Sequence, residues 1–256
     1  MAKGFLGRTL EEIRHWMRTD WSLTEVAEHY DHLAQDYDAI NESTDAHFRR
    51  FTDALRLARL PDQARVLEIF ARTGEGMAYF YQQGKVSSAV CVGVSLKMGE
   101  ICQQQLQEIG LEDFEWIQFS DYTLPLDDDE FDVVLFLETA EHVPRPERLV
   151  IELGRVIKPG GTMILSTPNV LWEPVHALAA ITKLHHSEGP HRFIRYKRLL
   201  AMVEKAGFRV QYAETNVLIP EGPRWLIRLG ERLEARMKRY LMPWIGLRRM
   251  LICHKL

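Results

Sequence analysis

Residues 64–76 combine a buried strand, a carboxylate near its end and a tight turn. Glu68 is the one charge near the end of this strand, Gly74 and Gly76 lie in the turn, and a helix-compatible run begins at Met77. Backbone N–H groups of such a turn can approach a ligand closely, and the carboxylate can accept its hydrogen bonds. This stretch predicts a nucleotide-cofactor site, although two glycines alone are equally typical of an ordinary strand-to-helix turn.

Acids and histidines later in the chain could move a proton. Glu141 and His142 follow a predicted fourth strand, and His191 follows the fifth. A carboxylate or an imidazole at such a position can help a substrate lose a proton. The alternative is structural, because acids are favoured near helix N-termini in any case and a single histidine is more often part of the packing. We treat His142 and His191 as candidate catalytic residues.

Alternating strands and helices must position these side chains. The predicted strands are 65–70, 88–94, 114–119, 131–137 and 161–167, and the predicted helices between them are 76–84, 97–109 and 146–157. Alternation at this spacing indicates a parallel sheet covered by helices on both faces. Ligands bind at the carboxyl ends of the strands in such sheets, near the point where the strand order reverses. Pro159-Gly160-Gly161 is predicted to be a structural turn that leads into the fifth strand.

The region before the first strand is predicted to be helical throughout residues 8–60, where apolar residues such as Trp16 recur at helical spacing. Tyr30 and Tyr37 lie two turns apart on one face. They either pack in the core or form a lid over a cofactor.

Composition restricts the class of protein. The chain has 256 residues, 46% hydrophobic and 27% charged, which suits a soluble protein with one large α/β domain. Its net charge of -4 argues against general nucleic-acid binding. The three scattered cysteines have no metal-ligand spacing, which favours a reducing cytoplasm. We expect neither a signal peptide nor a membrane span.

Five stretches resemble, in the right order, class I S-adenosylmethionine-dependent methyltransferases, especially the small-molecule type that includes ubiquinone and menaquinone biosynthesis enzymes. The stretches are YDHLAQDYDAIN (30–41), VLEIFARTG (66–74), VCVGVSLKM (90–98), the long block 119–169 and GPHRFIRYKRLLAMVEKAGFRV (189–210). The resemblance covers about residues 24–215. The block 119–169 is the most specific part, whereas the glycine loop alone is not.

The resemblance implies a Rossmann-like, seven-stranded, mostly parallel sheet with helices on both faces, an N-terminal helical cap and a C-terminal amphipathic helix. Residues 1–60 would form the cap, and residues 61–256 would form the methyltransferase domain with a helical insertion at about 222–244, one domain overall. It also implies S-adenosylmethionine as the cofactor. The implied cofactor-binding residues are Tyr37, Glu68, Phe70, Ala71, Arg72, Gly74, Ser95, Leu96, Asp121, Tyr122 and Glu138.

Some of these positions have an expected partner. In the family the position of Asp121 holds the adenine amino group, although an ordinary turn carboxylate is the alternative. Tyr122 would pack on the adenine or cap the turn. Glu138 would contact the methionine part of the cofactor.

Three positions depart from the family pattern. Phe70 and Arg72 stand where the family has glycines, which allow unusual backbone dihedrals and close approach to the ligand. Ser95 stands where the family has an acid that holds the ribose hydroxyls. Losing such an acid would weaken binding roughly ten- to hundred-fold unless Glu75 or Glu100 compensates.

The C-terminal region is basic and amphipathic. Residues 221–256 contain nine Lys or Arg and three Glu. One predicted helical stripe consists of Trp225, Leu229, Leu233, Met237, Leu241 and Trp244. Such a helix suits a membrane surface or a lipid-linked substrate. The alternative is that it packs on its own domain with its arginines in water. MLICHKL (250–256) is predicted to be the last strand.

These observations predict an enzyme that transfers the methyl group of S-adenosylmethionine to an O, N or C nucleophile of a small or lipid-linked molecule. The alternative is a catalytically silent binding or scaffold protein on the same fold, because fold does not establish function. We expect a cytoplasmic protein, with peripheral membrane contact through residues 224–244 as an additional hypothesis and no nucleic-acid partner.

Overall fold

A seven-stranded sheet forms the centre of the molecule. The computed structural model describes residues 7, 9–10, 18, 20–42, 45–182, 190–237 and 240–256. The strands are β1 (Ala64–Ile69), β2 (Val86–Gly93), β3 (Phe114–Gln118), β4 (Phe131–Leu137), β5 (Ile157–Pro168), β6 (Phe208–Asn216) and β7 (Arg248–Lys255). Their order across the sheet is β3-β2-β1-β4-β5-β7-β6.

All neighbouring strands from β3 to β5 pair in parallel, and β7 is antiparallel to both β5 and β6. Strands β1, β2 and β4 are buried along almost their whole length because helices cover both faces of the sheet, and two buried hydrophobic clusters occupy those faces. The expected Rossmann-like, mostly parallel fold is confirmed. The strand order reverses between β1 and β4, so the carboxyl ends of these two strands mark the expected ligand site.

Helices and one 3-10 turn connect the strands. The helices before the sheet are α1 (Leu23–Leu33), α2 (Tyr37–Glu42) and α3 (Asp45–Leu57). Those between the strands are α4 (Glu75–Gln82), α5 (Leu96–Glu108), α6 (Pro146–Val156), α7 (Glu173–Thr182), α8 (Tyr196–Lys205), α9 (Arg224–Met237) and α10 (Met242–Ile245), and the 3-10 turn spans Val170–Trp172. None of the helices in the described part of the chain is long and apolar enough to cross a bilayer.

The prediction of unbroken helix over residues 8–60 is wrong where the structure describes them. Helix α1 starts at a capping box that the periodicity did not reveal: Ser22 Oγ accepts from the backbone N–H of Glu25 (3.2 Å), and the Glu25 carboxylate accepts from Ser22 N (2.9 Å). A turn at residues 34–36 then separates α1 from α2. Trp16 lies outside the described residues.

Two strand predictions also change. Pro159-Gly160-Gly161 was expected to precede the fifth strand, but it lies within β5 as an irregularity, where Gly160 has φ +77°. The pairing with β4 shifts there from Ile157 to Thr162. The last strand begins at Arg248, two residues before its predicted start, and this brings the Arg248 side chain into the site described next.

Candidate cofactor and substrate site

In the loop after β1 the backbone adopts the left-handed conformation typical of glycine, although most of the residues that adopt it are not glycine. Phe70 has φ +57°, Arg72 φ +52° and Gly74 φ +89°. For a side-chain-bearing residue this left-handed conformation costs roughly 1–2 kcal/mol. Two large residues hold this left-handed conformation at the point where the strand order reverses, so the backbone is strained there. Backbone strain of this kind is concentrated at functional sites.

Glu68 fixes the loop to the helix that follows it. Its Oε2 accepts a hydrogen bond from Met77 N at 2.9 Å. Gly76 permits this contact, because a Cβ there would lie 2.2 Å from Glu68 Oε1. Burial raises the pKa of Glu68 to about 7, and the positive charges of Arg50 and Arg72 oppose that rise. The predicted cofactor carboxylate is therefore turned toward the protein backbone in this structure.

The side chain of Phe70 fills the space in front of the loop. Its buried ring lies 5.8 Å from the ring of Phe119, whose ring lies 5.6 Å from that of Tyr122. Tyr122 Oη in turn accepts from Arg145 N at 2.9 Å. This row of rings runs from the end of β1 past the end of β3, and Tyr122 links β3 to the start of α6.

Arg72 bridges the ends of β1 and β4, between which the strand order reverses. Its Nη2 donates to the carbonyl oxygen of Glu138, at the end of β4, at 2.5 Å, and its guanidinium lies 5.7 Å from the centre of the Tyr30 ring. Glu138 itself has φ +48°, and its Oε1 accepts from Ser166 Oγ (2.8 Å) and Arg248 Nε (3.2 Å). The two strand ends that flank the expected site are thus joined by a cation of the protein.

Ser95 contacts the carboxylate of Asp31, which the sequence did not identify as part of the site. Its hydroxyl accepts from Met98 N (3.1 Å), which caps α5, and donates to Asp31 Oδ1 from α1. Glu100 is exposed, and Glu75 Oε2 lies 3.0 Å from His47 Nε2. No sequence signal marks Asp31, because it lies 64 positions from Ser95 and meets it only in the fold.

The remaining predicted contacts lie at the rim or in the core. Asp121 is exposed, and its Oδ1 accepts from Tyr122 N at 2.6 Å, as an ordinary turn carboxylate does. Leu96 is 54% exposed at the first turn of α5. Ala71 is buried, and its N–H donates to Val92 O at 3.1 Å, which ties the loop to β2.

The space left for a cofactor is small. Tyr30, Phe70, Arg72, Ser95 and Met98 contribute to the walls of a cavity of about 10 Å³, the room of a single water molecule. Ligand pockets usually measure about 300–1,000 Å³. With the side chains of Phe70 and Arg72 in these positions, this cavity is therefore too small for S-adenosylmethionine.

A larger cavity of about 160 Å³ adjoins the other side of Arg72. His142 and Tyr37 line it, and both are buried. The ring of Tyr30 lies 6.4 Å from that of Tyr37 and 5.8 Å from that of His142, so both tyrosines belong to the core and to the cavity wall. The ring of His191 lies 6.2 Å from that of His142, so the fold brings the two candidate catalytic histidines together.

Glu141 lies in the wall of the same cavity. Its Oε2 accepts from Thr167 Oγ1 at 3.1 Å. Burial raises the pKa of Glu141 well above its usual range, and the neighbouring charge of Glu138 adds to the rise. The raised pKa makes the Glu141 carboxyl a weaker acid than an exposed glutamate.

Comparisons with known proteins agree with this geometry. Residues 67–165 match the model of the methyltransferase domain family. An uncharacterised methyltransferase of Mycobacterium bovis (strain BCG / Pasteur 1173P2) is 33% identical over 129 residues, 50% of this chain and 49% of that protein. A probable phthiotriol/phenolphthiotriol dimycocerosates methyltransferase of Mycobacterium ulcerans is 30% identical over 129 residues, 48% of this chain and 49% of that protein. The chain spans about half the length of the curated relatives it matches.

Among solved structures, the cyclase SpnF shares the fold with a TM-score of 0.68 at 16% identity, covering 94% of this chain and 98% of that one. The fold is that of a Rossmann-like α/β protein, with a strained loop where the strand order reverses. The match over residues 67–165 is more specific: this part of the chain is similar to the methyltransferase domain family, and the matched relatives are named methyltransferases.

Proposed function

We propose that this protein transfers the methyl group of S-adenosylmethionine to an O, N or C nucleophile of a small or lipid-linked molecule. The observation that carries the proposal is the loop of residues 70–74, which lies inside the methyltransferase match and keeps the left-handed backbone at Phe70, Arg72 and Gly74. The cofactor's sulfonium methyl is already activated, so alignment would be the main contribution of the protein. Binding requires Phe70 and Arg72 to leave the cofactor site.

His142 and His191 are the proposed proton-accepting groups. His142 lines the larger cavity, beside the expected path between cofactor and acceptor, and His191 lies behind it. An acceptor with an acidic proton would need such a base, which contributes roughly 10²–10⁴-fold in rate, whereas a stronger nucleophile would not.

A lipid-linked acceptor is supported by the surface beside the cavity. Trp172 lines the cavity, and its Nε1 donates to Ile245 O at 2.8 Å, so the cavity wall contacts α10 directly. Apolar side chains are exposed on both neighbouring segments: Leu171, Val175, Leu178, Trp244 and Ile245. One of the relatives is named for methylation of a lipid, the phthiotriol/phenolphthiotriol dimycocerosates.

Helix α9 supports contact with a membrane surface. Its inner face is fixed by Glu234, whose carboxylate accepts from Arg49 Nη1 (3.1 Å) and Nη2 (2.6 Å) and from Leu218 N (2.8 Å). This orientation leaves Trp225 67% exposed and Trp244, in α10, 69% exposed. The exposed basic residues beside them are Arg224, Arg228, Arg232 and Arg236. A basic face with exposed tryptophans suits the headgroup region of an anionic bilayer.

Flotation with liposomes tests this membrane contact. We expect binding to phosphatidylglycerol vesicles, weaker binding as salt rises, and little binding to phosphatidylcholine. Changing all four arginines of α9 to Glu should abolish it, since each contributes about 1 kcal/mol near an anionic surface. A control with the same charge change at exposed residues outside α9 should still float: Arg59, Lys97, Lys205 and Arg209. Absence of flotation at low salt would leave α9 as a helix packed on its own domain.

A silent binding protein is the second candidate, and the closed cofactor site favours it. The 10 Å³ cavity, filled by Phe70 and Arg72, offers no room for the cofactor among the described residues. The cyclase SpnF has the same fold but is named for a different reaction, a cyclisation. The fold by itself therefore does not imply methyl transfer.

Calorimetry with S-adenosylmethionine and the unchanged full-length chain distinguishes the two candidates. Binding that is followed by release of S-adenosylhomocysteine in the presence of lipid extract would support methyl transfer. A folded chain that binds no cofactor at millimolar concentration would refute it and leave the silent protein.

A further inference from the structure

We infer that the larger cavity binds the anionic head, a carboxylate or phosphate, of an acidic apolar molecule through Arg50 and Arg248. This names the substrate class of the proposed methyl transfer and rests on that function for the reaction, though not for the binding itself. Both arginines line the 160 Å³ cavity, and they are only 6% and 3% exposed.

Both arginines have a donor that lacks a partner. Arg50 Nε and Arg248 Nη1 are buried, with no hydrogen-bond acceptor among the residues that the structure describes. Another nitrogen of each guanidinium is engaged, Arg50 Nη2 with His47 Nε2 (2.9 Å) and Arg248 Nη2 with Ala46 O (2.7 Å), so each guanidinium is held in place. A buried charged donor without an acceptor is costly, and a bound anion would remove that cost.

Charge around the cavity favours an anion. Three arginines, Arg50, Arg72 and Arg248, line it against two carboxyl groups, Glu138 and Glu141, and burial raises the pKa of Glu141 well above its usual range. Glu221 also lines the cavity, but it is exposed at the rim, where water screens its charge. The buried part of the wall therefore carries an excess of positive charge.

The apolar part of the lining fits an apolar body. Trp172, Val175, Ala179 and Phe193 also line the cavity. Its volume is close to that of a cavity known to hold a benzene ring. The head and a few carbons of a ligand would fill it, and a longer chain would continue over the exposed apolar residues of α7. This arrangement selects a molecule with one charged end and one apolar end.

Binding of matched probes to the unchanged chain tests the inference without any variant. We would measure octanoate, octyl phosphate, octanamide and L-methionine by calorimetry at neutral pH. Octanoate or octyl phosphate should bind at least roughly tenfold more tightly than octanamide, since a charge-assisted hydrogen bond is worth about that much or more. The tighter of the two anions identifies the head group.

Three results would overturn the inference. Equal affinity for octanoate, octyl phosphate and octanamide would show that the cavity does not distinguish a charged head group from a neutral one. Absence of binding of either anion would show that the two arginines do not bind an anionic ligand. L-Methionine binding more tightly than both anions would assign the arginines to the cofactor's own carboxylate. Binding of S-adenosylmethionine without either anion would remove only this inference, whereas anion binding without S-adenosylmethionine would keep it and remove methyl transfer.

Variants locate the site. Arg50→Gln and Arg248→Gln should each weaken binding of the preferred anion roughly ten- to hundred-fold. Arg59→Gln, at an exposed position after α3, is the matched control and should change nothing. Arg248 also holds Ala46 O and Glu138, so thermal unfolding is measured for each variant. If Arg248→Gln does not fold, Arg50→Gln decides the location, and unchanged affinity in that variant would overturn it.

Discussion

Opening the loop after β1 should create a cofactor site. The variant Phe70→Gly/Arg72→Gly removes the two side chains that fill it and leaves a backbone that already has the dihedrals glycine prefers. Ser95 is best left unchanged, because Ser95→Asp would set a second carboxylate against Asp31, which now accepts a hydrogen bond from the serine hydroxyl. We propose that Asp31, through this contact, serves where the family has its ribose-binding acid.

The size of the effect follows from the burial of Phe70. Removing a buried phenyl ring costs about 3–5 kcal/mol, and relief of its positive φ returns about 1–2 kcal/mol. The ligand-free variant should therefore lose about 1–4 kcal/mol of unfolding free energy, or roughly 2–16 °C in Tm for a chain of this size. S-Adenosylmethionine at a hundred times its Kd would return about 2.7 kcal/mol, close to the loss.

The assay combines calorimetry with thermal unfolding in the presence and absence of S-adenosylmethionine. We expect the double variant to bind at least roughly tenfold more tightly than the unchanged chain, and Asp31→Asn in that background to weaken binding again by a similar factor. Phe131→Ala is the control, because it removes a buried ring at the opposite end of β4 and should lower Tm without any response to the cofactor. A folded double variant with no gain in affinity would refute the reasoning that Phe70 and Arg72 close the site.

Three more outcomes are expected. Asp121→Ala should weaken S-adenosylmethionine binding several-fold with the fold intact, since an exposed hydrogen bond is worth about 1 kcal/mol; equal affinity by calorimetry would leave Asp121 as a turn residue. Glu68 has a raised folded-state pKa of about 7, so the folded state binds the extra proton and stability should fall by roughly 3 kcal/mol as pH rises from about 4.5 through 7. Glu68→Gln should flatten this part of the urea-unfolding profile, and an unchanged slope would mean that other groups cause it. His142→Gln should lower methyl transfer roughly 10²–10⁴-fold while cofactor affinity stays the same, and equal loss of both would indicate a structural role.

Local patterns in the sequence determined where the strands and helices of the sheet region lie. Strand and helix positions in the sheet follow from apolar runs and their spacing, and β1, β4 and α6 lie within one or two residues of their predicted bounds. The breaks before the sheet were missed because the turn at residues 34–36 contains no glycine or proline, and apolar spacing continues through it. The histidine pair was proposed from the order of the strands, which places both residues after carboxyl ends that meet in the fold.

Only the tertiary structure decided what fills the site. The sequence shows that Phe70 and Arg72 replace glycines, but not that the loop retains the glycine conformation or that the Phe70 ring continues the row through Phe119. Asp31 reaches Ser95, and Arg50 meets Arg248, across separations that no local pattern encodes. Periodicity reports which face of an element is buried, because that depends on near neighbours along the chain. Which side chains from distant elements share a cavity depends on packing, and in this protein packing determines the charge and the size of the site.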